Sequence, residues 1–534
     1  MNTKAMSAGT SDTNGMSFAD LDKRYKDYRK NLIGLDFDFL THMGQVSLQE
    51  GRIRRAVEIT REALYLTEDH LNRATIYLSL ARMYRVMTLM QNTQTELDRA
   101  FKELGIEYPR SGFVSFIKSV IGLLFNTTFF ETHRHNVEPT DASRETLKLQ
   151  LAVALYEEAG LSAYYMREPT LSMLQISFRT KKAANQLGPS LELVNWLGAT
   201  GTLLAIINQR VLSRYFLSRG EKIAKGLADA YPRVKLQIWQ ALSADYLLEP
   251  ESSTRLFEQI LNEQKAYLTP FDLRLVCITV SCNYTIRGHM DLAIKAVDHM
   301  LTEYDTVCTQ IFSCSKTFIE WSKIPALSFM GKDEEIERIV NSSKAIFSSV
   351  DKEKWLITHF LGNVLIHYYL ASQHDLKEVK NIFDRFRALR MSPERTFLEG
   401  CHYWVARTYL LFELFYQDKA SMHDLRHALS DLKRVKKHPS LQSHHCVLKA
   451  HMALLQGDYT AVRENIESAR KIAAEVHNLW AECEADKIIM MLSYKEKKSA
   501  VGDELFEHLQ QKVKQLGWVG YQTHVDKYRN RYVN

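Results

Sequence analysis

The chain has 534 residues, more than one hydrophobic core usually organises, which excludes a single small domain and predicts several domains or an open-ended repeat array. Hydrophobic residues make up 46% of the sequence, and its 10 prolines and 22 glycines are few for this length, which favours long helices over β-rich folds with many turns. The formal charge of +6 is mild for this length, so it gives no argument for a nucleic-acid or anionic-lipid partner.

The N-terminal segment, residues 1–17, is small and polar and lacks the apolar run of a secretory signal. We interpret it as a disordered tail that precedes a helical region at 18–534. The seven cysteines are scattered and form no CxxC pair, which suits a reducing cytoplasm better than a disulfide framework. We therefore expect a cytoplasmic protein, and secretion by a route that needs no classical signal stays open.

Apolar residues recur every three or four positions along almost the whole chain, the period of a helix with a buried side. An early example is DFLTHMGQVSLQE (38–50). The most apolar segment, FVSFIKSVIGLLF (113–125), is too short to span a bilayer and contains Lys118. Residues 113–130 are predicted either to lie buried between repeats or to form an interfacial helix that docks on a membrane or a partner.

Two later segments combine a helical pattern with a conflicting signal. The best strand candidate, LVCITVSC (275–282), lies inside a longer helical pattern that ends at Gly288, and we predict a helix there. Most prolines fall at the edges of helical patterns, where proline can begin or end a helix. Pro325 is the exception, because EWSKIPALSFM looks helical around it, and it predicts a kink or a break.

A similar turn recurs four times along the chain, where a glycine is followed five residues later by an apolar residue of a second amphipathic helix. The four pairs are Gly51 and Ala56, Gly288 and Ala293, Gly331 and Ile336, and Gly457 and Val462. Glycine ends the first helix at little cost in the left-handed conformation, and a short turn returns the second helix antiparallel to the first. One helical hairpin cannot bury its apolar side alone, whereas stacked hairpins can, so the recurrence predicts an α-solenoid.

Further helical pairs with weaker turns fill the intervals between these units. They are predicted near 70–106, 148–187, 190–229, 233–264, 351–390, 395–435 and 478–516. The whole array would hold about ten or eleven pairs of about 35–45 residues, the period expected of two-helix repeats. Candidate sub-blocks of this array are 18–140, 141–350 and 351–534.

The sequence resembles tetratricopeptide repeats (TPR) in a degenerate form. The positions that match the family pattern are Gly44, Gly51, Ala56, Ala63, Leu197, Gly198, Tyr284, Gly288 and Ala293. Thr60 stands where the family usually has an aromatic residue, and Gly201 stands where it has a tyrosine. The resemblance implies an all-α fold, a right-handed α-solenoid of TPR-like helical hairpins.

A narrower likeness covers the stretches 100–125, 154–203 and 212–229, which begin AFKELGIEYPRSG, ALYEEAGLSAYYM and LSRYFLSRGEKIA. They look like the helical-repeat region that follows the ATPase domain in large bacterial signalling ATPases, including some fused to nucleotide cyclases or protein kinases. In that family the repeats form a regulatory or partner-binding region. We find no GxxxxGK[ST] P-loop, kinase loop set or cyclase domain in this sequence. We therefore expect the helical-repeat scaffold without the ATPase domain that precedes it in that family.

The histidines give little support for a metal site. A zincin HExxH is absent, and the pairs His133 with His135 and His444 with His445 lack carboxylate or cysteine partners at ligand spacing. We therefore expect no metal and no cofactor.

Signals for catalysis are also weak. Cys401 and His402 are adjacent, and adjacent residues on a helix point about 100° apart, so they are not expected to form a nucleophile and its base. The glycines of GATG (198–201) lie inside a helical pattern, and we interpret them as close helix packing rather than a phosphate cradle. We expect a protein that is not an enzyme.

The leading hypothesis is a protein-interaction scaffold whose concave surface binds a peptide or a helix of another protein. The candidate partner-binding residues, chosen by helical phase, are Thr41, Gln45, Gln49, His444 and His451. No nucleic-acid partner is expected, and membrane contact is expected only through 113–130.

Two alternatives stay open. The resemblance implies a sensor or regulator of a nucleotide-signalling enzyme, a cyclase or an ATPase, supplied in trans. An enzyme with an unfamiliar site in the groove would instead have a deep pocket with several perturbed titratable groups. The sequence leaves the identity of the partner and the oligomeric state open.

Overall fold

The computed structural model consists of α-helices joined by short turns. It describes residues 18–31, 36–49, 52–87, 89–108, 144–166, 168, 170–247, 249–264, 267–268, 270–307, 319–347, 354–371, 376–396, 398–435 and 439–533. These residues contain twenty-four α-helices and no β-strand, which confirms the all-α fold class. The predicted tail 1–17 and the apolar segment 113–130 lie outside the described residues.

The helices divide between two halves of the chain. The N-terminal half contains α1 (Phe18–Asn31), α2 (Phe37–Gln49), α3 (Ile53–Glu62), α4 (His70–Val86), α5 (Met90–Glu103), α6 (Arg144–Tyr165), α7 (Thr170–Leu187), α8 (Leu191–Ile206), α9 (Arg210–Gly226), α10 (Tyr231–Tyr246) and α11 (Pro250–Glu263). The C-terminal half contains α12 (Pro270–Arg287), α13 (Met290–Val307), α14 (Ile324–Met330), α15 (Asp333–Phe347), α16 (Lys354–Leu370), α17 (Leu376–Ala388), α18 (Leu398–Phe415), α19 (Met422–Val435), α20 (Pro439–Gln456), α21 (Tyr459–Glu475), α22 (Leu479–Lys495), α23 (Ser499–Gln515) and α24 (Val519–Val533). Short 3-10 turns at Ala63–Leu66 and Pro393–Arg395 follow α3 and precede α18.

Consecutive helices pack in pairs, and the pairs stack in series. The described residues form eleven hairpins, from α2 with α3 to α22 with α23, and α24 packs against the last of them. The even-numbered helices, which we call the first helices, also pack on the first helices of neighbouring hairpins, as α8 does on α10. The predicted solenoid is thus confirmed, and each of the seven helical pairs predicted from the sequence corresponds to one hairpin.

Glycine ends several first helices, as predicted. Gly288, Gly331 and Gly457 adopt φ values of +84°, +71° and +76° directly after α12, α14 and α20. At Gly331 the last carbonyl groups of α14 are bonded by the N–H groups of the turn, since Lys332 N lies 2.9 Å from Leu327 O. Gly51 lies outside the described residues, so the turn predicted there stays a prediction.

The two segments whose sequence signals conflicted, 275–282 and the stretch around Pro325, are helical, and Pro325 lies at the start of a helix. The stretch 275–282 is part of α12, which confirms the predicted helix. Pro325 is the second residue of α14, and residues 322–323 separate α14 from the helical turn at 319–321. The predicted break at this proline is therefore confirmed. Proline fits there because the first N–H groups of a helix have no intrahelical acceptor to lose.

Helical glycines mark places where two helices approach closely. A Cβ atom at Gly44 in α2 would overlap the Thr60 side chain of α3, and one at Gly198 in α8 would overlap the indole of Trp239 in α10. At Gly201 the added atom would lie 2.8 Å from Cγ of Leu217. The GATG segment therefore serves helix packing, as predicted.

The buried apolar side chains form one large core, mostly in the C-terminal half, a second core in the N-terminal half, and two smaller clusters between α6 and α10. The large core includes Trp321, Trp480 and Trp518, all almost fully buried. The second core lies between α1 and α7. Among the described helices, none combines the length and apolar character needed to cross a bilayer. The sub-block boundaries near 140 and 350 fall outside the described residues and stay predictions.

Candidate functional site: the inner faces of the stacked hairpins

Polar side chains connect neighbouring first helices along the stack. Trp239 Nε1 donates to Asn195 Oδ1 at 2.6 Å, and the Thr202 and Ser243 hydroxyl oxygens lie 2.9 Å apart. Further along, Tyr409 OH lies 3.0 Å from His444 Nδ1 on the next first helix. The partners in these contacts are 35 to 44 residues apart, which matches the predicted repeat length of about 35–45 residues.

First helices that are far apart in sequence also meet in the C-terminal half. Tyr369 OH in α16 donates to Glu484 Oε1 in α22 at 2.6 Å, across 115 residues. The ring of Phe329 in α14 is stacked on Tyr521 in α24, with ring centres 5.5 Å apart. These contacts fill the space between the first helices with side chains. The inner face formed by the described residues between 270 and 533 is therefore packed interior rather than an open groove.

A buried ionic cluster lies within this interior. Lys487 Nζ is 2.7 Å from Glu484 Oε2 and 2.8 Å from Tyr369 OH, and it lies 4.4 Å from the centre of the Tyr528 ring. Only 1% of either ion's side chain is exposed. Close pairing of this kind is what allows charges to stay buried, because an unpaired buried charge costs several kcal/mol.

Glu413 forms a second charged centre beside this cluster. Burial raises the pKa of its carboxyl group, against the opposing positive charges of Lys527, Lys487 and Arg531. Lys527 Nζ lies 3.2 Å from Glu413 Oε2, and Tyr528 OH donates to the same carboxylate. These charged groups contact one another in packed interior, which points to a structural role.

His444 and His451 lie in this interior and not on an exposed lining. His444 Nε2 donates to the Ile286 carbonyl oxygen at 3.0 Å, and the His451 ring lies 4.3 Å from that of Phe412, stacked on it. Burial lowers the pKa of the His444 imidazole to about 4 and that of His451 well below its ordinary value. The expectation that these two side chains face a partner is thus corrected, because distant first helices cover positions that helical phase alone would leave open.

The other three candidate residues lie on α2, at the opposite end of the array. Thr41 is half-buried, and its hydroxyl group donates to the Phe37 carbonyl oxygen at 2.8 Å. Gln45 is exposed, while the side chain of Gln49 lies outside the described part of the structure. A role for these residues in partner binding stays a prediction.

In the N-terminal half, α4 keeps one polar row in contact with solvent. Thr75, Ser79 and Arg82 are half-buried, while most other residues between them are buried. We call these three residues the α4 row. The hydroxyl groups of Thr75 and Ser79 each donate to the carbonyl oxygen four residues earlier, at 2.9 Å. Their positions, four and then three residues apart, place them on the same side of the helix.

Charged residues of α6 lie next to the α4 row. Arg82 Nε lies 3.7 Å from Glu158 Oε2, and the buried Arg85 donates to the same carboxylate. Burial raises the pKa of Glu157, opposed by the positive charges of Lys235 and Arg82. This half therefore presents hydroxyl, guanidinium and carboxyl groups at a surface, which is a set that can hydrogen-bond a peptide backbone.

Exposed apolar side chains gather at the start of α9. Ile207, Val211 and Tyr215 recur every four residues, and Leu212 adjoins them. Val211 has 82% of its surface exposed, an unusual fraction for a valine. Val211, Leu212 and Tyr215 lie on α9, a second helix, while Ile207 directly follows α8.

Three potential metal ligands that the sequence did not single out converge in the C-terminal interior. Cys282, His359 and His402 are all buried, and their ligand atoms lie within 4.8 Å of one another. The cysteine is 77 residues from one histidine and 120 from the other. No local motif spans such separations, so only the packing of three helices brings these residues together. His133 and His135 lie outside the described residues.

Comparisons with known proteins add little to this description. No protein-family model matches the chain, and no curated protein matches it. One solved structure that it resembles is entitled "Crystal Structure of the Yeast Tom70"; the match covers 90% of this chain and 96% of that one, with 15% sequence identity and a TM-score of 0.34. At this identity and TM-score the match carries no argument about fold or function.

Proposed function

We propose that the protein is a non-enzymatic scaffold that binds a peptide or a helix of another protein on the inner face of its N-terminal half. The observation that carries this proposal is the α4 row of Thr75, Ser79 and Arg82, which reaches solvent between buried residues of a first helix. Stacked helical hairpins offer such faces to partners in general. In the part of the C-terminal half that the structure describes, side chains fill the space between the first helices, and this half would serve as a rigid support.

The chemistry of this face fits an extended peptide or the polar side of a helix. Hydroxyl groups can donate to and accept from a peptide backbone, and a guanidinium group can hold a carboxylate through two parallel bonds. Thr41 and Gln45 would extend the face along α2, together with Gln49. The partner expected is therefore a protein segment that carries an acidic residue among polar ones.

The test is affinity capture from the native host with the wild-type chain and two variants. Ser79→Arg places a bulky charge in the α4 row and is expected to abolish capture of the specific partner. Ser468→Arg is the matched control, because Ser468 also donates to the carbonyl oxygen four residues earlier but is exposed on α21 in the C-terminal half. It is expected to capture the partner as the wild type does. Absence of any specific partner, or equal capture by both variants, would contradict the proposal.

The likeness of 100–125, 154–203 and 212–229 to the repeats of bacterial signalling ATPases supports a second candidate function. On this proposal the chain is a sensor or regulator of a cyclase or an ATPase that is supplied in trans. The resemblance is one of sequence alone, so it calls for a direct assay. Cyclase and ATPase activities of candidate partners, measured with and without this chain, should change if the proposal is correct, and unchanged activities would remove it.

A further inference from the structure

Three side chains with metal-binding chemistry meet where three first helices converge. Cys282 comes from α12, His359 from α16 and His402 from α18, and each is at most 2% exposed. Cys282 Sγ lies 4.0 Å from His359 Nδ1. Ligand atoms around a tetrahedral zinc ion lie about 3.5 Å apart, given Zn–S and Zn–N bonds of about 2.3 and about 2.1 Å. A shift of about 1 Å would therefore bring the three groups to coordination distance.

The amide of Asn363 fixes the state of the His402 ring. Asn363 Nδ2 donates to the Trp321 carbonyl oxygen at 3.0 Å, so the amide oxygen is the atom that faces the ring. Asn363 Oδ1 lies 2.8 Å from His402 Nδ1. Because an amide oxygen only accepts, Nδ1 must carry the ring hydrogen. The other ring nitrogen, Nε2, then presents a lone pair when the ring is neutral.

That lone pair faces a second acceptor. His402 Nε2 lies 3.2 Å from the Cys282 carbonyl oxygen, and two lone pairs at this distance repel each other. The opposite tautomer only moves the conflict to Asn363, because a neutral imidazole has a single N–H and here faces two acceptors. A cation bound to Nε2 resolves the conflict once the ring and the carbonyl group move apart by about 1 Å, because a Zn–N bond of about 2.1 Å needs that space. An acceptor on the remote ring nitrogen is also how metal-bound histidines are commonly held in position.

We propose that Cys282, His359 and His402 bind one Zn²⁺ ion. A thiolate with two imidazoles is a ligand set that suits zinc, and three protein ligands leave the fourth tetrahedral position to water. Binding releases the Cys282 thiol proton to solvent. His359 binds through Nδ1, so its Nε2 carries the ring hydrogen and donates to Ser322 Oγ, 3.0 Å away. Asn363 Nδ2, which lies 3.2 Å from the same nitrogen, then keeps only its bond to the Trp321 carbonyl oxygen. His402 binds through Nε2 while Nδ1 stays bonded to Asn363.

Such an ion would hold together three first helices of the C-terminal half, α12, α16 and α18. The helix α12 opens this half, and α16 and α18 belong to the second and third hairpins after it. The bond between them would link segments separated by up to 120 residues. We therefore expect the metal to stabilise the contacts between distant first helices rather than to take part in a reaction.

The experiment uses the full chain produced in cobalt-supplemented medium, so that the metal is present while the buried site forms. Co²⁺ bound to a thiolate absorbs in the near ultraviolet, whereas Co²⁺ on surface histidines does not. We expect one thiolate-bound cobalt per chain, its displacement by Zn²⁺, and loss of the thiolate band in Cys282→Ser. Cobalt affinity should fall at least tenfold in His402→Gln and about 10- to 100-fold in Asn363→Ala, which removes the acceptor that orients the ring.

Cys277→Ser is the matched control, because Cys277 is also a buried thiol on α12 but is not part of the cluster. It should keep the thiolate band. If Cys282→Ser fails to fold, the wild-type spectrum and its persistence in Cys277→Ser still decide the question. A wild-type chain without a thiolate–cobalt band, or a band that Cys277→Ser loses, overturns the proposal.

Discussion

Buried histidines bond the first helices to one another in their neutral form. Tyr409 OH lies 3.0 Å from His444 Nδ1, and His444 Nε2 donates to the Ile286 carbonyl oxygen at the same distance. The charged group that faces this ring is Glu484, whose effect on the pKa is smaller than that of burial. Burial lowers the pKa of His444 to about 4. Folding thus excludes a proton that the unfolded chain binds below the ordinary histidine pKa of about 6.5.

We therefore expect stability to fall on acidification from about pH 6.5 to about pH 4. In this window the unfolded imidazole is protonated and the folded one is not, so the unfolded state binds more protons and the free energy of unfolding rises with pH. For His444 alone the loss amounts to about 3 kcal/mol below pH 4. Urea-unfolding midpoints recorded across this range measure it.

The variant His444→Gln separates this effect from general acid denaturation. It should be less stable than the wild type at neutral pH, and its stability should depend less on pH. His423→Gln changes an exposed histidine and should keep the wild-type dependence. Equal pH dependence in His444→Gln and the wild type would contradict the assignment.

A glycine contact between α8 and α10 gives a second prediction. In Gly198→Ala the new methyl group would overlap Trp239 near the root of its side chain, where the indole cannot move aside easily. We expect the free energy of unfolding to fall by about 1–3 kcal/mol. Gly226→Ala, at the end of α9, meets no atom within 4 Å and should be neutral or slightly stabilising. Equal shifts of the unfolding midpoint in the two variants would rule out the packing explanation.

At the scale of single residues, the sequence predicted the packing role of small residues better than it predicted the exposure of polar ones. Gly44 and Gly198 are small because a neighbouring helix is close, and that constraint is visible in the local pattern. His444 and His451 have helical phases that fit an exposed face in an isolated hairpin. They are buried because other helices cover them, including the one that holds Ile286, 158 residues earlier than His444. Phase within one helix carries no information about such a distant neighbour.

The starts of the helices differ in how deeply their caps are buried. Asn478 Oδ1 accepts from Ala481 N at 2.9 Å, while its amide nitrogen donates to Ser440 O and Ser443 Oγ in the preceding hairpin. Asp458 caps α21 through a single bond of 3.0 Å from Ala461 N, at an exposed position. The first cap therefore joins two hairpins, and the second serves its own helix alone.

We expect Asn478→Ala to lower the free energy of unfolding by about 3 kcal/mol, because it removes a cap and leaves buried acceptors without their donor. Asp458→Ala should cost only about 1 kcal/mol, the usual value of an exposed cap. Thermal unfolding of both variants under one set of conditions measures the difference. A loss at Asp458 as large as that at Asn478 would contradict this account.

The turns show what local patterns can and cannot identify at the scale of elements. Glycine marked the turns after α12, α14 and α20 correctly. Other turns have Asn208, Asp418 or His477 with positive φ, and these residues occur too often elsewhere to mark a turn in the sequence. The hairpins around them were nevertheless predicted, because the apolar pattern on either side of the turn has the period of a helix.

At the scale of the molecule, α24 completes the C-terminal half. It packs on α14 and α16, although seven further helices separate it from α16 along the chain. Gly520 approaches the backbone of residues 328–331 so closely that no side chain would fit there. The half therefore depends on a contact between its beginning and its end.

We expect truncation after Leu516, which removes α24, to loosen the C-terminal half selectively. Hydrogen–deuterium exchange should accelerate in α14, α16 and α18, because Phe329, Tyr369 and Glu413 lose aromatic or charged partners from α24. Exchange in α2 to α10 should not change. Deletion of residues 1–31, which removes α1, should affect only α2 and α3. Uniform acceleration over the whole chain after either truncation would contradict this division.

The stacking of hairpins could be predicted from the sequence, while the closure of the C-terminal half could not. Stacking follows from one apolar side per hairpin, repeated along the chain. Closure requires that particular side chains, such as Phe329 and Tyr521, meet across many hairpins. The proposed metal ligands Cys282, His359 and His402 depend on the same geometry, which explains why their spacing gave no signal.

Contacts between helices that are far apart in sequence determine how many hairpins the C-terminal half can have. The end of α12 meets α22 and the end of α14 meets α24, so each of these helices is matched with the one five hairpins later. A duplicated hairpin between these helices would move each of these contacts by one hairpin and place Gly331 against a different helix. An extra unit inserted among α2 to α10 would only lengthen the stack. Gene duplication can therefore add hairpins to the N-terminal half, whereas an added hairpin in the C-terminal half would disrupt its long-range contacts.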